Sequence, residues 1–361
     1  MEDCFSWITL NKAKLFENIT TIKQCIGNAV KLAAVVKANA YGHGLLEIGK
    51  LCDEHCFVNV LVVFYLSEAL LLRRHGIKKE ILVLGVCDAS LEEIRDQNIV
   101  LTIYNLSQAR EVINFAEKNK QKLSIHLKIE TGMNRLGFSE KDFYELLELL
   151  RKSFFIALKG ACSHFADAGN SESHFSERQQ KKFETFLGRV PENLCVHLCN
   201  SGGTFHCMNH FSMVRCGGAL YGLDSSFEQK LKPILSWVTR IIDIHQVERK
   251  CCVGYGCTYL APSLRKVAVV PVGYSDGLCR SFSNKGYMNI QEKKVPIVGR
   301  VAMNMTMIDV TGLNVSRGDE VIVMGEAQGV TITEYAQGLN TIEYEVATRI
   351  NPLVKRIIIE R

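Results

Sequence analysis

The sequence lacks the signals that direct a protein into a membrane or the secretory pathway. A membrane-spanning helix needs about 18 or more consecutive apolar residues, and no run comes close to that length. The amino-terminal residues 1–4 carry acids and no cationic region ahead of an apolar core, unlike a secretion signal. We therefore expect a cytoplasmic protein with no membrane partner.

Metal-binding and disulfide patterns are also missing, although the 361 residues include 14 cysteines. The cysteines are scattered, most lie in apolar runs, and no Cys-x-x-Cys pair occurs, which favours reduced, buried thiols. Cys195, His197 and Cys199 would share one face of a strand, and His206 and Cys207 follow closely. Their spacing matches no familiar zinc pattern, so we expect no metal.

The charge distribution gives no reason to expect a nucleic acid partner. The net charge is +5, and the densest basic stretches, residues 73–79 and 118–122, each close a helix-like segment. Cations at that end of a helix are favoured by its dipole, and no aromatic residues are interleaved with them. With 47% hydrophobic and 22% charged residues, the chain has the composition of a folded protein with one large domain and a smaller one.

Helix-period and strand-like segments alternate from residue 11 to about residue 222, which is typical of β/α units around a parallel sheet. We predict strands at residues 32–38, 57–63, 80–85, 99–104, 123–130, 154–164, 194–200 and 211–217. Eight strands, with a helix at 11–26 that can cover the closing gap, predict an α/β fold, a (β/α)8 TIM barrel over residues 11–234. A doubly wound open sheet fits less well, because no Gly-x-Gly-x-x-Gly turn follows the first strand.

The pattern changes after Pro233 to short β-branched runs separated by Gly, Asn and Asp. These runs occupy residues 267–272, 295–301, 305–310 and 320–324, with no long helix between them. We therefore expect residues 235–361 to form a β-rich C-terminal domain. Residues 1–10, around Ile8, are expected to pack with it as a strand.

Lys37 points most directly to chemistry. It follows the apolar run of residues 32–36 and precedes Gly42-His43-Gly44. A buried ammonium is costly to desolvate, whereas a neutral lysine can form a Schiff base with a carbonyl such as the aldehyde of pyridoxal phosphate. The alternative from this segment alone is a strand-end lysine whose ammonium reaches solvent.

Other predicted strands also end in groups that suit an anionic ligand. The seventh and eighth predicted strands end in the glycine-containing segments Asn200-Ser201-Gly202-Gly203 and Arg215-Cys216-Gly217-Gly218, and barrels often bind phosphate at the loops after these strands. Arg135 and His164 follow the fifth and sixth strands. Cationic or potentially cationic groups at one end of a barrel would repel one another unless an anion lay among them; here they are Lys37, Arg135, His164 and Arg215.

The run Val36-Lys37-Ala38-Asn39-Ala40-Tyr41-Gly42-His43-Gly44 resembles the pyridoxal phosphate attachment motif of the alanine racemases. The resemblance continues in order along essentially the whole chain, including the β-rich part. The other matching segments are residues 128–137, His164, Asn200-Ser201, 213–217, 254–256, 272–277 and 299–304.

The resemblance implies a two-base racemase that interconverts the enantiomers of alanine and supplies D-alanine for bacterial peptidoglycan. Lys37 would anchor the cofactor and act as one base. Tyr255, supplied by the partner subunit of a head-to-tail homodimer with shared active sites, would act as the other. The implied cofactor-binding residues are Lys37, Tyr41, Arg135, His164, Asn200, Ser201, Arg215, Gly217 and Gly218, and the implied substrate-binding residues are Arg135, Tyr274 and Met303.

The resemblance also implies how these groups work together. Arg215 would hydrogen-bond the pyridine nitrogen, and His164 would lie between Arg215 and Tyr255. In many members the lysine that matches Lys128 is carbamylated and steadies the arginine that matches Arg135.

The chemistry of the residues supports two bases independently. Racemisation removes a proton from one face of a planar intermediate and returns one to the other face, which Lys37 and Tyr255 could do. A free tyrosine has a pKa of about 10, so a catalytic tyrosinate needs the cationic help that His164 and Arg215 can give. Because arginine does not readily give up a proton, Arg215 would keep the pyridine nitrogen unprotonated and limit side reactions.

Two departures from the family and three alternative functions remain. Asn304 stands where family members commonly have Asp, and the tail segment 350–352 lacks a tyrosine that some members use to contact the phosphate.

The alternatives are a racemase that prefers serine or another amino acid, a decarboxylase of the same fold type, and a single-barrel pyridoxal phosphate binding protein. A decarboxylase should place an acidic residue opposite the pyridine nitrogen and a cysteine nucleophile across the dimer, unlike Arg215 and Tyr255. The binding protein would have no counterpart of residues 235–361.

Overall fold

The computed structural model describes residues 4–95, 97–170, 174–206, 209–223 and 231–360. Their contacts divide the chain into two units. The barrel unit comprises Phe16–Ala40 and Ile48–Leu220, and the second unit comprises Met1–Leu15, Tyr41–Glu47 and Tyr221–Arg361.

The described strands and helices follow one another along the whole chain. The strands are β1 (Ser6–Asn11), β2 (Lys31–Val35), β3 (Val58–Tyr65), β4 (Glu80–Val86), β5 (Ile99–Ile103), β6 (Leu123–Lys128), β7 (Ile156–Cys162), β8 (Cys195–His197), β9 (Met213–Cys216), β10 (Leu235–Arg240), β11 (Asp243–Val247), β12 (Cys252–Val253), β13 (Tyr259–Leu260), β14 (Arg265–Val270), β15 (Tyr287–Ile290), β16 (Lys293–Pro296), β17 (Thr306–Asp309), β18 (Glu320–Met324) and β19 (Lys355–Ile359). The helices are α1 (Lys12–Ile26), α2 (Lys37–Tyr41), α3 (Leu45–Glu54), α4 (Leu66–Arg74), α5 (Leu106–Asn119), α6 (Glu140–Arg151), α7 (Phe175–Leu187), α8 (Ser201–His206), α9 (Gly218–Tyr221), α10 (Ile332–Leu339) and α11 (Glu343–Thr348), with short 3-10 turns at Leu91–Ile94, Tyr255–Cys257 and Arg280–Phe282.

The barrel unit is built on a parallel sheet of eight strands in the order β8-β7-β6-β5-β4-β3-β2-β9. Backbone hydrogen bonds from Ser212 N to Val196 O (2.9 Å) and from Arg215 N to Cys199 O (3.0 Å) join the two end strands. The predicted (β/α)8 barrel is therefore confirmed. Strands such as β5, IVLTI, are buried on both faces, which explains why they read as continuous apolar runs rather than alternating ones.

Several predicted strands extend too far at their carboxyl ends. The strand expected at 32–38 ends at Val35, because residues 38–41 adopt positive φ angles that a strand does not contain. The strand expected at 194–200 covers only Cys195–His197, since Asn200 accepts a hydrogen bond from Gly203 N (2.9 Å) at the start of α8. The strands expected at 123–130 and 154–164 likewise end at Lys128 and Cys162.

Helix α1 matches the helix predicted at 11–26 within one residue. In the barrel unit it buries Ile19 and Ile22, which are three positions apart and so lie on one helix face. The Asn18 side chain donates to Leu220 O at 3.0 Å, which ties α1 to the segment after β9.

The second unit contains a six-stranded sheet in the order β16-β15-β18-β10-β1-β19 and an antiparallel sheet β11-β14-β17. The amino-terminal strand β1 pairs antiparallel with β10 and parallel with β19. Strand β10 alternates buried and partly buried residues, with Trp237 fully buried on the inner face. The strand predicted at 295–301 ends at Pro296, and Gly299 shortly beyond it turns the chain with φ 76°.

Within the described ranges, no helix is both long and apolar enough to cross a membrane.

Candidate active site

Lys37 lies at the start of a left-handed turn beyond the carboxyl end of β2. The four residues from Ala38 to Tyr41 all have φ between 51° and 55°, a conformation that costs an L-residue about 1–2 kcal/mol. Val36 N still donates to Val62 O at 2.8 Å, so the sheet pairing ends directly before the turn. Backbone strain of this kind persists only where surrounding contacts hold it, and it clusters at functional sites.

Glu68 on α4 supplies such contacts. One carboxylate oxygen accepts a hydrogen bond from Ala38 N at 2.8 Å, and the other accepts from Phe64 N and Tyr65 N at 2.9 and 3.1 Å. A single side chain thereby ties the Lys37 turn to the end of β3. Sequence reasoning missed Glu68, because the only local signal was an acidic residue in the first turn of a helix.

Burial favours the neutral form of Lys37. Desolvation lowers the pKa of its amine, the positive charges of Arg135 and Arg215 lower it further, and only Glu68 opposes them. Lys37 Nζ lies 6.0 Å from the centroid of the Phe64 ring. The alternative of a strand-end ammonium in solvent does not fit this half-buried side chain, whereas a nucleophilic amine does.

Arg215 on β9 is the central charge of the barrel end, and it is only 3% exposed. Its Nη1 donates to His197 Nδ1 at 2.6 Å and to the His197 carbonyl at 3.0 Å. Its Nη2 donates to His164 Nδ1 at 3.0 Å and to the carbonyls of Ser163 and Leu198 at 2.8 and 3.1 Å. The structure thus places His164 directly against Arg215. Five hydrogen-bond acceptors hold the guanidinium in position.

These contacts determine which ring nitrogens of the histidines carry protons. A guanidinium only donates, so His197 and His164 both accept at Nδ1 and, when neutral, carry their proton on Nε2. His197 Nε2 then donates to His126 Nδ1 at 2.8 Å. Burial, followed by the charge of Arg215, lowers the pKa of all three rings, that of His126 to about 3.

Sequence reasoning missed His126 and assigned His197 no role beyond the rejected zinc cluster. A signal was present for His126: it lies two residues before Lys128 on β6, so both side chains leave the strand on the same face. The neighbours of His197 depend on how the barrel closes between β8 and β9. No pattern in the sequence around His197 indicates how this closure occurs.

The loops after β8 and β9 meet at Ser201. The buried Ser201 Oγ accepts hydrogen bonds from Gly217 N at 3.2 Å and Ala219 N at 3.3 Å. Gly217 and Gly218 are buried beside it. Asn200, expected among the cofactor-binding residues, uses its side-chain oxygen on the first turn of α8, so the structure gives it a helix-capping contact.

Lys128 and Arg135 belong to β6 and the loop that follows it. Lys128 is 8% exposed, and desolvation lowers its pKa, with further lowering by the charges of Arg215, Arg135 and Lys37. Arg135 is exposed on the loop. The loop returns to the barrel where Phe138 N donates to Lys128 O at 2.8 Å, which keeps both ends of the loop together.

The remaining predicted site residues lie in the second unit. Tyr41 packs near Tyr221 and Tyr344, with ring centroids 5.3 and 5.7 Å apart. Tyr255 lies between β12 and β13 and is 72% exposed.

Tyr274 and Met303 meet where two loops of the second unit cross. Tyr274 N donates to Ala302 O at 3.0 Å, and the Met303 carbonyl accepts from Ser275 N and Oγ at 3.0 and 2.7 Å. Asn304 Nδ2 donates to Ser275 Oγ at 2.9 Å, a contact in which the amide acts as a donor, as an aspartate could not.

No group of three or more potential metal ligands occurs among the residues that the structure describes. Of the cluster weighed in the sequence, His197 bonds to Arg215 and His126, Cys199 is buried, and Cys207 lies outside the described residues.

Comparison with models of protein families shows which family this chain belongs to. Residues 10–225 match the model described as alanine racemase, N-terminal domain, and residues 234–358 match the model described as alanine racemase, C-terminal domain. The chain belongs to the alanine racemase family. The resemblance predicted from the Lys37 motif is therefore confirmed, as are the isomerase class and the dependence on pyridoxal phosphate.

Individual relatives agree over the full length. The alanine racemase of Methanococcus maripaludis is 37% identical over 97% of this chain and 98% of the relative. A solved alanine racemase structure from Bacillus anthracis with bound L-Ala-P has a TM-score of 0.92 and 32% identity, covering 99% of this chain and 96% of that one. Another, from Bartonella henselae with covalently bound pyridoxal phosphate, has a TM-score of 0.87 and 27% identity, covering 99% and 100%.

The residues of the barrel unit fit that cofactor. Burial lowers the pKa values of Lys37 and Lys128, and the charges of Arg135 and Arg215 lower both further, so this end of the barrel favours an anionic group. A phosphate and a phenolic oxygen supply negative charge, and a neutral Lys37 supplies the amine.

Proposed function

We propose that this chain interconverts L-alanine and D-alanine with pyridoxal phosphate held covalently by Lys37. The observation that carries the proposal is the environment of Lys37, a half-buried amine on a strained turn whose pKa is lowered by burial and then by the charge of Arg135. The names of the relatives support alanine as the substrate in preference to serine. Family membership does not favour a decarboxylase or a non-catalytic binding protein.

The bound cofactor supplies the electron withdrawal that makes the α-proton of the amino acid removable. Lys37 Nζ takes or returns that proton on one face, because burial lowers the pKa of its amine and so favours the free base. Tyr255 Oη acts on the opposite face. His164 carries its proton on Nε2, from which it can donate to a tyrosinate, and Arg215 holds His164 in that tautomer.

The other site residues bind and orient. Arg215 would hold the pyridine nitrogen of the cofactor and, as a permanent donor, would leave it unprotonated. Tyr41, Ser201, Gly217 and Gly218 would hold the phosphate of the cofactor. The Ser201 hydroxyl oxygen already accepts two backbone N–H groups, so its own proton is free to point at the phosphate. Asn200 supports this loop through α8.

We assign the substrate carboxylate to Arg135 and to the backbone N–H of Met303, with Tyr274 beside them. Lys128 is proposed to carry a carbamate formed from its amine and carbon dioxide. Its lowered pKa supports this, because only a neutral amine attacks carbon dioxide, and the resulting anion would pair with Arg135.

The assembly and location are part of the proposal. The enzyme acts as a homodimer in which Tyr255 enters the partner's active site, and the exposure of its ring supports this. It works in the cytoplasm and supplies D-alanine for peptidoglycan, without a nucleic acid or membrane partner. Residues 11–234 are taken as the cofactor-binding domain and residues 235–361 as the C-terminal domain. Residues 1–10 belong with the C-terminal domain, because β1 pairs with β10 and β19.

The test incubates the holoenzyme with each alanine enantiomer in deuterated water and follows optical inversion and deuterium at the α-carbon. Tyr255→Phe should lower turnover by about 100-fold or more, the usual scale for a lost acid–base group, while the cofactor absorbance is retained. Lys37→Ala should abolish covalent attachment. Release of carbon dioxide, or the absence of exchange with both enantiomers, would refute the proposed reaction.

A further inference from the structure

The hairpin that carries Tyr255 has a cysteine on each side of that residue. Strand β12 begins at Cys252, which pairs with Leu260 on β13. Cys257 ends the 3-10 turn that begins at Tyr255. Gly254 and Gly256, directly before and after Tyr255, have φ of 73° and 70°.

The two thiols face each other across the base of this hairpin. Cys257 Sγ lies 2.7 Å from Cys252 Sγ, and both side chains are exposed. A disulfide bond is about 2.05 Å long, so the sulfurs need to approach by less than about 1 Å to bond. Their separation is well inside ordinary contact of two sulfur atoms, and both side chains are exposed in the single chain.

We propose that Cys252 and Cys257 form a reversible disulfide that fixes the Tyr255 hairpin and slows turnover while it is closed. The effect on turnover rests on the proposed role of Tyr255, whereas the bond itself does not. The oxidant is a peroxide. One thiol loses its proton and its thiolate attacks a peroxide oxygen; the O–O bond breaks, and the hydroxide that leaves takes up that proton as water, giving a sulfenic acid. The second thiol sulfur then forms the S–S bond and displaces the sulfenic hydroxyl, which leaves as water with the proton of the second thiol. Two electrons pass from the sulfurs to the peroxide, and a dithiol reductant reverses the bond.

The order of the two steps follows from the hydrogen bond between the thiols. The contact with Cys252 raises the pKa of the Cys257 thiol, so Cys257 holds its proton longer. Because Cys257 Sγ donates to Cys252 Sγ, this contact favours a thiolate on Cys252, which is the sulfur that attacks the peroxide, and Cys257 resolves the sulfenic acid.

The bond would close a ring of residues 252–257 around both glycines next to Tyr255. The hairpin packs closely on β17 and on the segment at Arg300, since a Cβ on Gly254 would lie 2.7 Å from Met307 Cε and one on Gly256 would lie 3.3 Å from Arg300 Cζ. Little room is left for the ring to relax elsewhere. A shift of about 1 Å in a catalytic group can cost up to about 100-fold in rate, and we expect a loss of roughly tenfold here.

The experiment treats the reduced holoenzyme with hydrogen peroxide and then with dithiothreitol. Mass spectrometry of the intact chain and of its peptides should show the loss of two hydrogens and a Cys252–Cys257 link. Amide hydrogen exchange in residues 253–256 should slow. Turnover should fall roughly tenfold and recover with the reductant.

The variants Cys252→Ser and Cys257→Ser should keep their turnover through the same treatment, whereas Cys251→Ser, at an exposed neighbouring thiol, should respond like the unmodified chain. Absence of the link, or a link that leaves exchange and turnover unchanged, would overturn the proposal. If the reduced enzyme does not racemise alanine, the proposed function fails. The Cys252–Cys257 link and the amide hydrogen exchange of residues 253–256 still test whether a disulfide fixes the Tyr255 hairpin.

Discussion

Arg215 shows how one buried charge sets the chemistry of the side chains around it. Its guanidinium cannot accept a hydrogen bond, so His164 and His197 must accept from it, and His126 must accept from His197. Each of these hydrogen bonds is therefore donated outward from Arg215, first to His197 and then from His197 to His126. Protonation of any of these rings would place a second positive charge beside Arg215 in a buried site, which is why their pKa values are lowered.

The contacts from Arg215 through His197 to His126 predict that acid lowers the stability of the fold. The pKa of His126 is about 3 in the folded state, below the ordinary 6.5, because of burial and then Arg215. Below pH 6.5 the unfolded chain binds a proton that the folded ring does not, so stability falls as pH drops from about 6.5 towards 3. His126→Asn keeps an acceptor near Nδ1 and removes this titration.

We expect the difference in free energy of unfolding between pH 7.5 and pH 5 to be about 2 kcal/mol smaller in His126→Asn than in the unmodified chain. Urea unfolding at fixed protein concentration measures it. His245→Asn, at an exposed histidine of β11, serves as the control for the loss of one histidine. Equal acid sensitivity of the unmodified chain and His126→Asn would contradict the buried, neutral assignment.

At the scale of elements, Gly160 on β7 leaves space for the contact between His126 and His197. A Cβ on Gly160 would lie 2.5 Å from both Cys195 O and His126 Nε2. Strand β7 lies between β6 and β8, which carry the two histidines. The absence of a side chain at Gly160 therefore permits the parallel register in which His126 and His197 meet.

Gly160→Ala should destabilise the fold by about 1–3 kcal/mol, the usual cost of overpacking a core, and should disturb the His126–His197 contact. Gly169→Ala is the matched control, because a Cβ there would meet no atom within 4 Å. Urea unfolding of both variants measures the difference. An equal effect of the two substitutions would show that β7 can shift to accept the methyl group.

The turn at residues 38–41 is the element at which the sequence was hardest to interpret. The apolar run before Lys37 predicts a strand, and Ala is an ordinary strand or helix residue, so nothing local indicates four consecutive positive φ angles. The conformation depends on Glu68, which is thirty residues away in the chain. A local pattern cannot report a constraint applied from another helix.

At the scale of the whole molecule, the proposed dimer predicts complementation between two inactive variants. In a mixed dimer of Lys37→Ala and Tyr255→Phe chains, one site combines both substitutions and the other has neither, if Tyr255 serves the partner's site. Unfolding and refolding an equal mixture should restore up to about a quarter of the unmodified activity, since about half of the dimers are mixed and each has one intact site. If Tyr255 serves its own chain, each mixed dimer has no intact site and the mixture stays inactive.

The sequence by itself determined the order of strands and helices, the barrel, the β-rich remainder and the Lys37 motif, because these follow from local hydrophobic period and from residues adjacent in the chain. The tertiary structure alone decided that Glu68 holds the Lys37 turn, that Asn200 caps α8, and that His197 joins Arg215 to His126. These contacts join separate strands and loops, and strand register and barrel closure set their geometry. Register and closure result from packing of the whole core, which no single segment encodes.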